Sequence, residues 1–411
     1  MQEDRRPGAQ RHDFTVFFFD PSGLPTETQE KIAINRGLRA SDMAFKRPTR
    51  HSPPRPKGLS LSFSSKKPLS LGLDIGSHSI KICEFRRTSG GGYKLVALGS
   101  ALMPPDAMED GALLDPDAVA KTIVALIRNL KIKEKRVAFS VSGYSVIVKK
   151  INLEVMTEAE LEKHIHEEAE QYIPFDINDV YLDCQDLHTN TEDENRTDVM
   201  LVAAKREMVD GYLNMLRSAG LKPVVVDVDA FALENAFEAN FGLKDNIALI
   251  DIGASKMNIN ILSGGVSTLA RDVVLGSRQL TEQIQRRFDL PYEEAEALKI
   301  GSRPADDLQA DVARIFKETC RQWVGEIKRA LDFYASNYPD APIDKLVLSG
   351  GGSRIAGLAE LIATETRVPV EIFNPFAMAE FNSDAIDPAY LKAIAPQMAL
   401  AAGLATRPVE F

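Results

Sequence analysis

The sequence has few cysteines, no long apolar run and no excess of basic residues. Its three cysteines, Cys83, Cys184 and Cys320, stand far apart, which excludes a disulfide framework and a paired-cysteine zinc site. No window approaches the roughly 18 uninterrupted apolar residues of a membrane-spanning helix. The apolar cluster at 14–19 is too short for the core of a signal peptide. We therefore expect neither membrane spanning nor export, and we predict a cytoplasmic protein.

The scarcity of basic charge excludes a general nucleic-acid binder, since such proteins neutralise phosphates with a basic face. The 411 residues carry a net charge of -10, but unevenly. Residues 1–70 hold 13 Lys and Arg against 7 Asp and Glu, a net of +6, whereas residues 71–411 hold 36 against 52, a net of -16.

The first 70 residues also differ from the rest in composition. The stretch 47–57 is basic and rich in proline, and 59–68 is rich in serine, so neither offers a periodic apolar face to bury. We predict a mostly disordered extension. It is either a basic arm for anionic lipid or a partner, or a dispensable leader, which we favour because Met43 could also initiate the chain.

From Leu71 onward, short β-branched runs alternate with segments of helical period, a pattern typical of an α/β fold. The segment 116–130 places apolar residues on one helix face. Thr157 and Glu160 have the spacing of a capping box that opens a second helix. Trp323, the only tryptophan, is predicted to be a core residue of an amphipathic helix. The first three predicted strands are 71–75, 80–86 and 93–102.

One two-strand signature occurs twice. Residues 73–82 can be laid over 250–259 at a constant offset of 177, and both contain Asp-Ile-Gly. Each copy is an apolar strand ending in Asp, a turn led by Gly, and a returning strand. Such a turn suits a phosphate, because Gly allows close approach and consecutive backbone N–H groups form an anion-binding concavity. The Asp at the strand end, Asp74 or Asp251, can hold a hydrated magnesium ion.

A third element, 345–353, is an apolar strand that runs into Gly350, Gly351, Gly352 and Ser353. Backbone without side chains lets a flat base or ribose lie against the main chain, and Ser353 could cap the next helix. The alternative is an ordinary strand-to-helix turn with no ligand.

The three elements together resemble the actin-like ATPase superfamily, and the body of the chain is similar to the PilM family of type IV pilus assembly proteins. The resemblance covers roughly 70–407 and leaves residues 1–69 outside it. It implies an actin-like α/β fold, ribonuclease H-like and duplicated, with subdomains 1A, 1C, 2A and 2B around a nucleotide cleft. The runs that carry it beyond the phosphate turns are 141–150, 168–176, 224–232, 293–301 and 368–376.

The same resemblance assigns the subdomains and the site residues. Subdomain 1A is expected at 71–144 and 223–240, 1C at 145–222, 2A at 245–275 and 341–407, and 2B at 276–340. Asp229 would position the attacking water, and Asp74 and Asp251 would bind the metal. His78 is expected to act through its backbone amide, whereas Lys256 could reach a phosphate or merely cover its hairpin. The expected cofactor-binding residues are Gly76, Ser77, His78, Ser79, Lys81, Gly253, Ala254, Ser255, Lys256, Glu296, Lys299, Gly350, Gly351 and Gly352.

The resemblance further implies ATP and Mg²⁺ as cofactors and a role in pilus assembly, hence in twitching motility. A groove between 1A and 1C would receive the cytoplasmic N-terminal peptide of PilN and recruit the chain to the inner-membrane face. PilO and the pilus motor ATPase would be indirect partners, with neither nucleic acid nor direct membrane insertion. ATP turnover stays open, because Asp229 is a carboxylate where better hydrolases often place a neutral amide.

Two other functions stay open as alternatives. An FtsA-like filament scaffold would need a C-terminal amphipathic anchor, and 403–411 is short and weakly basic for that task. An actin-fold small-molecule kinase would need an acidic general base in a substrate pocket beside subdomain 1A, and the sequence shows no insertion for one.

Overall fold

Strands and helices alternate along the part of the chain that the computed structural model describes, residues 17–18, 70–187 and 195–407. The strands are β1 (Phe17–Phe18), β2 (Leu71–Ile75), β3 (Ser79–Arg87), β4 (Tyr93–Leu102), β5 (Met108–Glu109), β6 (Ala112–Leu113), β7 (Arg136–Val141), β8 (Val146–Glu154), β9 (Val180–Asp186), β10 (Arg196–Lys205), β11 (Lys222–Val228), β12 (Ile247–Ile252), β13 (Met257–Ser263), β14 (Val266–Val273), β15 (Lys345–Ser349) and β16 (Val370–Ile372). The helices are α1 (Pro116–Asn129), α2 (Glu158–Glu168), α3 (Arg206–Ser218), α4 (Asp229–Phe241), α5 (Arg278–Phe288), α6 (Tyr292–Lys299), α7 (Gln309–Asn337), α8 (Leu358–Thr366), α9 (Pro388–Ile394) and α10 (Ala399–Thr406).

Two sheets share one strand order. The first runs β4-β3-β2-β7-β11, with β1 added beyond β11, and the second runs β14-β13-β12-β15-β16. In each, the first three strands form an antiparallel meander, and the last two are parallel to the strand that carries Asp-Ile-Gly. β2 is buried along its whole length, as expected for a central strand covered on both faces. The duplication expected from the sequence is therefore present in the topology.

Helices α4 and α10 cross where the two sheets meet. They approach so closely that a Cβ on Gly403 would lie 1.7 Å from the backbone oxygen of Ala232. On the other side of α10, a Cβ on Gly72 of β2 would lie 2.2 Å from the oxygen of Ala401. Glycine at both positions thus lets α10 fit between α4 and β2, and its apolar residues join a core shared with both sheets.

A separate antiparallel sheet, β8-β10-β9, is inserted between β7 and α3. Because side chains alternate along a strand, its two faces differ. Leu201 of β10 packs with Leu161 and Ile165 of α2, whereas Val202 points into the core of the first sheet. The inserted sheet is therefore fixed to the first sheet through one face.

The sequence predictions for local structure can be compared with these elements. The capping box is confirmed: Glu160 N–H donates to Thr157 Oγ1 at 3.4 Å, and Thr157 N–H donates to the Glu160 carboxylate at 2.8 Å. Trp323 is 1% exposed in the core of the second half, as predicted.

The expectation that Ser353 caps a helix was wrong. Ser353 does not cap the helix after it, because its hydroxyl donates to Gly350 O at 2.7 Å and α8 begins only after Gly357. The prediction of disorder for residues 1–70 falls outside the part of the chain that the structure describes, which includes only Phe17, Phe18 and Ser70 of that range. Across the described ranges, no helix has both the length and the apolarity needed to cross a bilayer.

Candidate functional site

A cavity of about 340 Å³ lies between the two Asp-Ile-Gly hairpins. Its walls come from both hairpin turns, from α6 and from the residue that starts α4. All the site residues predicted from the sequence line this cavity, with the exceptions of Gly350 and Gly352. The tertiary structure thus brings together segments more than 200 residues apart.

The turn of the first hairpin presents unused backbone donors. Gly76 N–H closes the turn by donating to Ser79 O at 3.2 Å, whereas the N–H groups of Ser77 and His78 make no hydrogen bond to any described residue. At the strand end, Lys81 Nζ lies 2.9 Å from the Asp74 carboxylate. Burial raises the pKa of Asp74 above its ordinary value even though Lys81 opposes this. This hairpin therefore neutralises its own carboxylate.

The second turn has the same backbone form. Gly253 N–H donates to Lys256 O at 2.9 Å, and the N–H groups of Ala254 and Ser255 are unbonded within the described ranges. The two turns touch, since Ser77 Oγ donates to Ser255 Oγ at 2.9 Å. Four unpaired amide donors from two turns therefore meet on one side of the cavity, which is the donor chemistry that a phosphate requires.

Lys256 lines the cavity and forms an ion pair there. Its Nζ lies 2.9 Å from the carboxylate of Asp229, the first residue of α4. Ser140 and Ser142 also donate to Asp229, at 2.6 and 2.5 Å. Burial opposes the charge of Asp229, but Lys256 and the two hydroxyls outweigh it and hold the pKa below its ordinary value. Asp229 is therefore a buried carboxylate whose charge is stabilised by Lys256 and two hydroxyl groups.

Asp251 differs from Asp74 and Asp229, which are both paired with lysines. Ser349 Oγ donates to it at 2.8 Å, and no Lys or Arg of the described residues lies within ion-pair distance of it. Burial raises the pKa of Asp251 to about 6, partly offset by the hydrogen bond from Ser349. A half-buried carboxylate without a basic partner is a group that a hydrated cation would stabilise strongly.

Protein side chains alone do not complete a metal site here. Within the described ranges, no three His, Cys, Asp or Glu side chains gather closely enough to hold an ion. Magnesium commonly keeps several waters and binds through one or two carboxylates together with phosphate oxygens. The cavity thus fits Mg²⁺ that arrives with a phosphate ligand, with Asp251 as its carboxylate.

Helix α6 supplies a further part of the cavity wall. Lys299 Nζ and the Glu296 carboxylate lie 2.6 Å apart, as their i,i+3 spacing predicts, and Thr281 Oγ1 donates to Glu296 at 2.8 Å. Burial lowers the pKa of Lys299. The imidazole of His78 also takes part in this wall, because its Nδ1 lies 3.2 Å from Tyr292 Oη. Helix α6 thus presents polar groups to the cavity and contacts the first turn.

Gly350 and Gly352 act on the packing of the site rather than on its lining. Gly350 has a φ of +80°, and a Cβ there would lie 2.4 Å from Ile252 O. A Cβ on Gly352 would lie 2.4 Å from the Ile252 side chain, whereas one on Gly351 would meet nothing within 4 Å. Two of the three glycines therefore let β12 and the turn after β15 touch, and Gly351 alone faces the cavity.

Sequence reasoning missed several polar residues of the site. The serines donate to predicted carboxylates: Ser140 and Ser142 to Asp229, and Ser349 to Asp251. The guanidinium of Arg278 donates to Ser77 O at 2.7 Å. The signal for the serines was their place at the ends of β7 and β15, next to the strands of the two hairpins. Arg278 gave no such signal, because only folding brings α5 to the first turn.

Comparison with known proteins places this geometry in context. The family model for the type IV pilus assembly protein PilM matches residues 72–409. A solved structure of a PilM-PilN type IV pilus biogenesis complex is 32% identical, covers 83% of this chain and 99% of its own, and superposes with a TM-score of 0.74. The ethanolamine utilization protein EutJ from Carboxydothermus hydrogenoformans is 15% identical over 82% of this chain and 89% of its own, with a TM-score of 0.50. These likenesses confirm the expected actin-like α/β fold.

Proposed function

The chain belongs to the PilM family of type IV pilus assembly proteins, and from this membership we propose that it is the ATP-binding component of a pilus assembly platform at the inner membrane. The observation that carries ATP binding is the pair of facing turns, whose four unbonded amides lie beside a carboxylate that lacks a basic partner. The cavity of about 340 Å³ falls in the range usual for small-molecule sites.

Different residues of the cavity would bind the phosphates, the metal and the nucleoside. The amides of the two turns would bind the phosphates, and Asp251, with Asp74 nearby, would hold a hydrated Mg²⁺. Bound magnesium would neutralise phosphate charge at this position. Gly351 and the α6 residues Glu296 and Lys299 also line the cavity, which supports their assignment to the base and ribose.

Hydrolysis is expected to be slow. A general base must accept a proton from water, and a depressed pKa weakens that ability. Asp229 accepts bonds from Lys256, Ser140 and Ser142, and its pKa is held low. It would orient a water at most, so nucleotide binding rather than turnover would be the useful property of the cleft.

The proposed partner is the cytoplasmic N-terminal peptide of PilN. Support comes from the 32% identity to the PilM chain of a PilM-PilN complex, with 99% of that chain covered. The peptide would lie in a groove between subdomain 1A, which contains the first sheet, and subdomain 1C, which contains the inserted sheet. Because PilN is a membrane protein, binding it would bring this chain to the inner-membrane face and connect it with PilO and the motor ATPase.

ATP binding can be tested with Asp251→Ala and the matched control Asp340→Ala, which removes an exposed carboxylate outside the cavity. Titration of a fluorescent ATP analogue with and without Mg²⁺ should show affinity at least tenfold weaker for Asp251→Ala and unchanged for the control. Unchanged binding in Asp251→Ala would refute the site. Failure of the full chain to bind a peptide of the PilN N-terminus would refute the assembly role.

A further inference from the structure

The first sheet has a strand that its counterpart lacks among the described residues. Phe17–Phe18 pairs antiparallel with β11, in the register Phe17 to Val226 and Phe18 to Val225. It is the sixth strand of a sheet whose other five strands repeat in the second half. This pairing depends on backbone groups, so it marks the edge of β11 as able to receive an extended chain.

β11 is well suited to strand addition. Its other side is already paired in parallel with β7, where Val225 lies opposite Ala138. The N–H and C=O groups facing away from β7 form an open edge unless another strand covers them. β11 has seven residues, so an added strand could extend well beyond the two residues of β1. The matching strand of the second sheet, β16, has three residues and is mostly exposed.

β11 lies near the junction of the first and inserted sheets, because helix α3 packs against both β11 and β10 of the inserted sheet. Val226 of β11 belongs to the same apolar cluster as Tyr181 of β9 and Val202 of β10. That junction is the region to which the proposed function assigns the peptide of the membrane partner. An extended peptide that adds a strand gains affinity from main-chain bonds and specificity from alternate side chains.

We propose that the edge of β11 is a strand-addition site that this chain's own N-terminal segment at Phe17–Phe18 occupies, so that an extended partner peptide has to displace it. The proposal rests on the proposed function for the identity of that peptide. A tethered strand competes at an effective concentration of about millimolar. Only two residues of the chain's own segment pair with β11, so a longer peptide can displace them. The internal strand nevertheless lowers the apparent affinity of that peptide.

The occupied edge can be tested in the full chain without any partner. Phe17→Pro combined with Phe18→Pro removes both backbone N–H groups, whereas the control Phe17→Val with Phe18→Val keeps them and favours extended backbone. Amide hydrogen exchange, followed by mass spectrometry of peptides that cover β11, should be faster in the proline variant and unchanged in the valine control. Equal exchange in all three proteins would overturn the proposal.

Competition is tested by binding of a labelled peptide from the PilN N-terminus to the same three proteins. The proline variant should bind about tenfold more tightly than the wild type and the valine control. Equal affinities, with the exchange difference present, would overturn competition at this edge. Binding to none of the three would contradict the proposed function, while an exchange difference would still support strand addition by the chain's own segment.

Discussion

The two halves of the molecule repeat one another in backbone and differ in their ion pairs. In the first hairpin Lys81 pairs with Asp74 of the same hairpin, at 2.9 Å. In the second hairpin Lys256 turns away from Asp251 and pairs with Asp229 of α4, also at 2.9 Å. Asp74 and Asp229 are therefore paired with lysines, whereas Asp251 has no lysine or arginine partner among the described residues. This difference is the reason for the proposed assignment of the cation to the second half.

The strand next to each hairpin shows the same kind of divergence. β7 and β15 occupy equivalent places, and each ends near a serine that binds a carboxylate. Ser142 donates to Asp229, whereas Ser349 donates to Asp251. Duplicated backbone thus supplies equivalent donors, and the choice of partner gives each half its own part in the site.

The largest expected effect concerns the packing that only the second half has. Gly350→Ala places a Cβ at a φ of +80° and 2.4 Å from Ile252 O. We expect a loss of about 3 kcal/mol or more in the free energy of unfolding, from backbone strain and overpacking together. Gly351→Ala, with open space around its Cβ, should change stability by less than about 0.5 kcal/mol. Denaturant unfolding measures both, and equal losses would contradict the assigned packing.

The next effect tests the assignment of the cation to Asp251. The pKa of Asp251 is raised to about 6, so this carboxylate gains its proton as pH falls through 6. Magnesium needs the ionised form, and affinity for Mg²⁺ with ATP should fall about tenfold for each pH unit below that value. In Asp251→Asn the pH dependence over this range should become weaker, and only the part due to protonation of ATP itself should remain. An unchanged slope in this variant would place the titrating group elsewhere.

A smaller effect is expected from the pair that joins the halves. Lys256→Gln leaves the Asp229 carboxylate with two hydroxyl donors, and the free energy of unfolding should fall by about 1 kcal/mol at pH 7, because Lys256 is about a third exposed. The pKa of Asp229 is depressed in the folded protein, so its contribution is present above the ordinary value of 3.8 and is lost as pH falls below it. The difference between variant and wild type should therefore shrink below about pH 4.

The last effect is confined to alkaline pH and involves Glu234 of α4, which accepts a hydrogen bond from Asn260 of β13 at 3.4 Å and so touches both halves. Burial raises the pKa of Glu234 to about 8. The folded state then holds a proton that the unfolded state releases, so stability falls as pH rises from about 4.5 to about 8. Glu234→Gln should melt several degrees higher than the wild type at pH 8.5 and close to it at pH 5. Equal melting differences at both pH values would contradict a charged, buried Glu234.

Much of the local structure follows from the sequence. The Asp-Ile-Gly repeat, the capping box at Thr157 and the apolar face of α1 depend on residues within one turn or one hairpin, so their pattern predicts them directly. The cap at Ser353 was wrong for a physical reason. Its hydroxyl found the nearer Gly350 carbonyl, and Gly357, with its positive φ, begins α8 instead.

The sequence by itself determined that two similar hairpins carry glycine turns and terminal aspartates, because hydrogen bonding and steric demand in a turn are local. Only the tertiary structure decided which lysine neutralises which aspartate, that Gly350 and Gly352 pack against Ile252, and that Phe17–Phe18 meets β11. Those contacts join residues far apart in the chain. Their partners are selected by the distances that remain once both sheets and the α4–α10 crossing are in place.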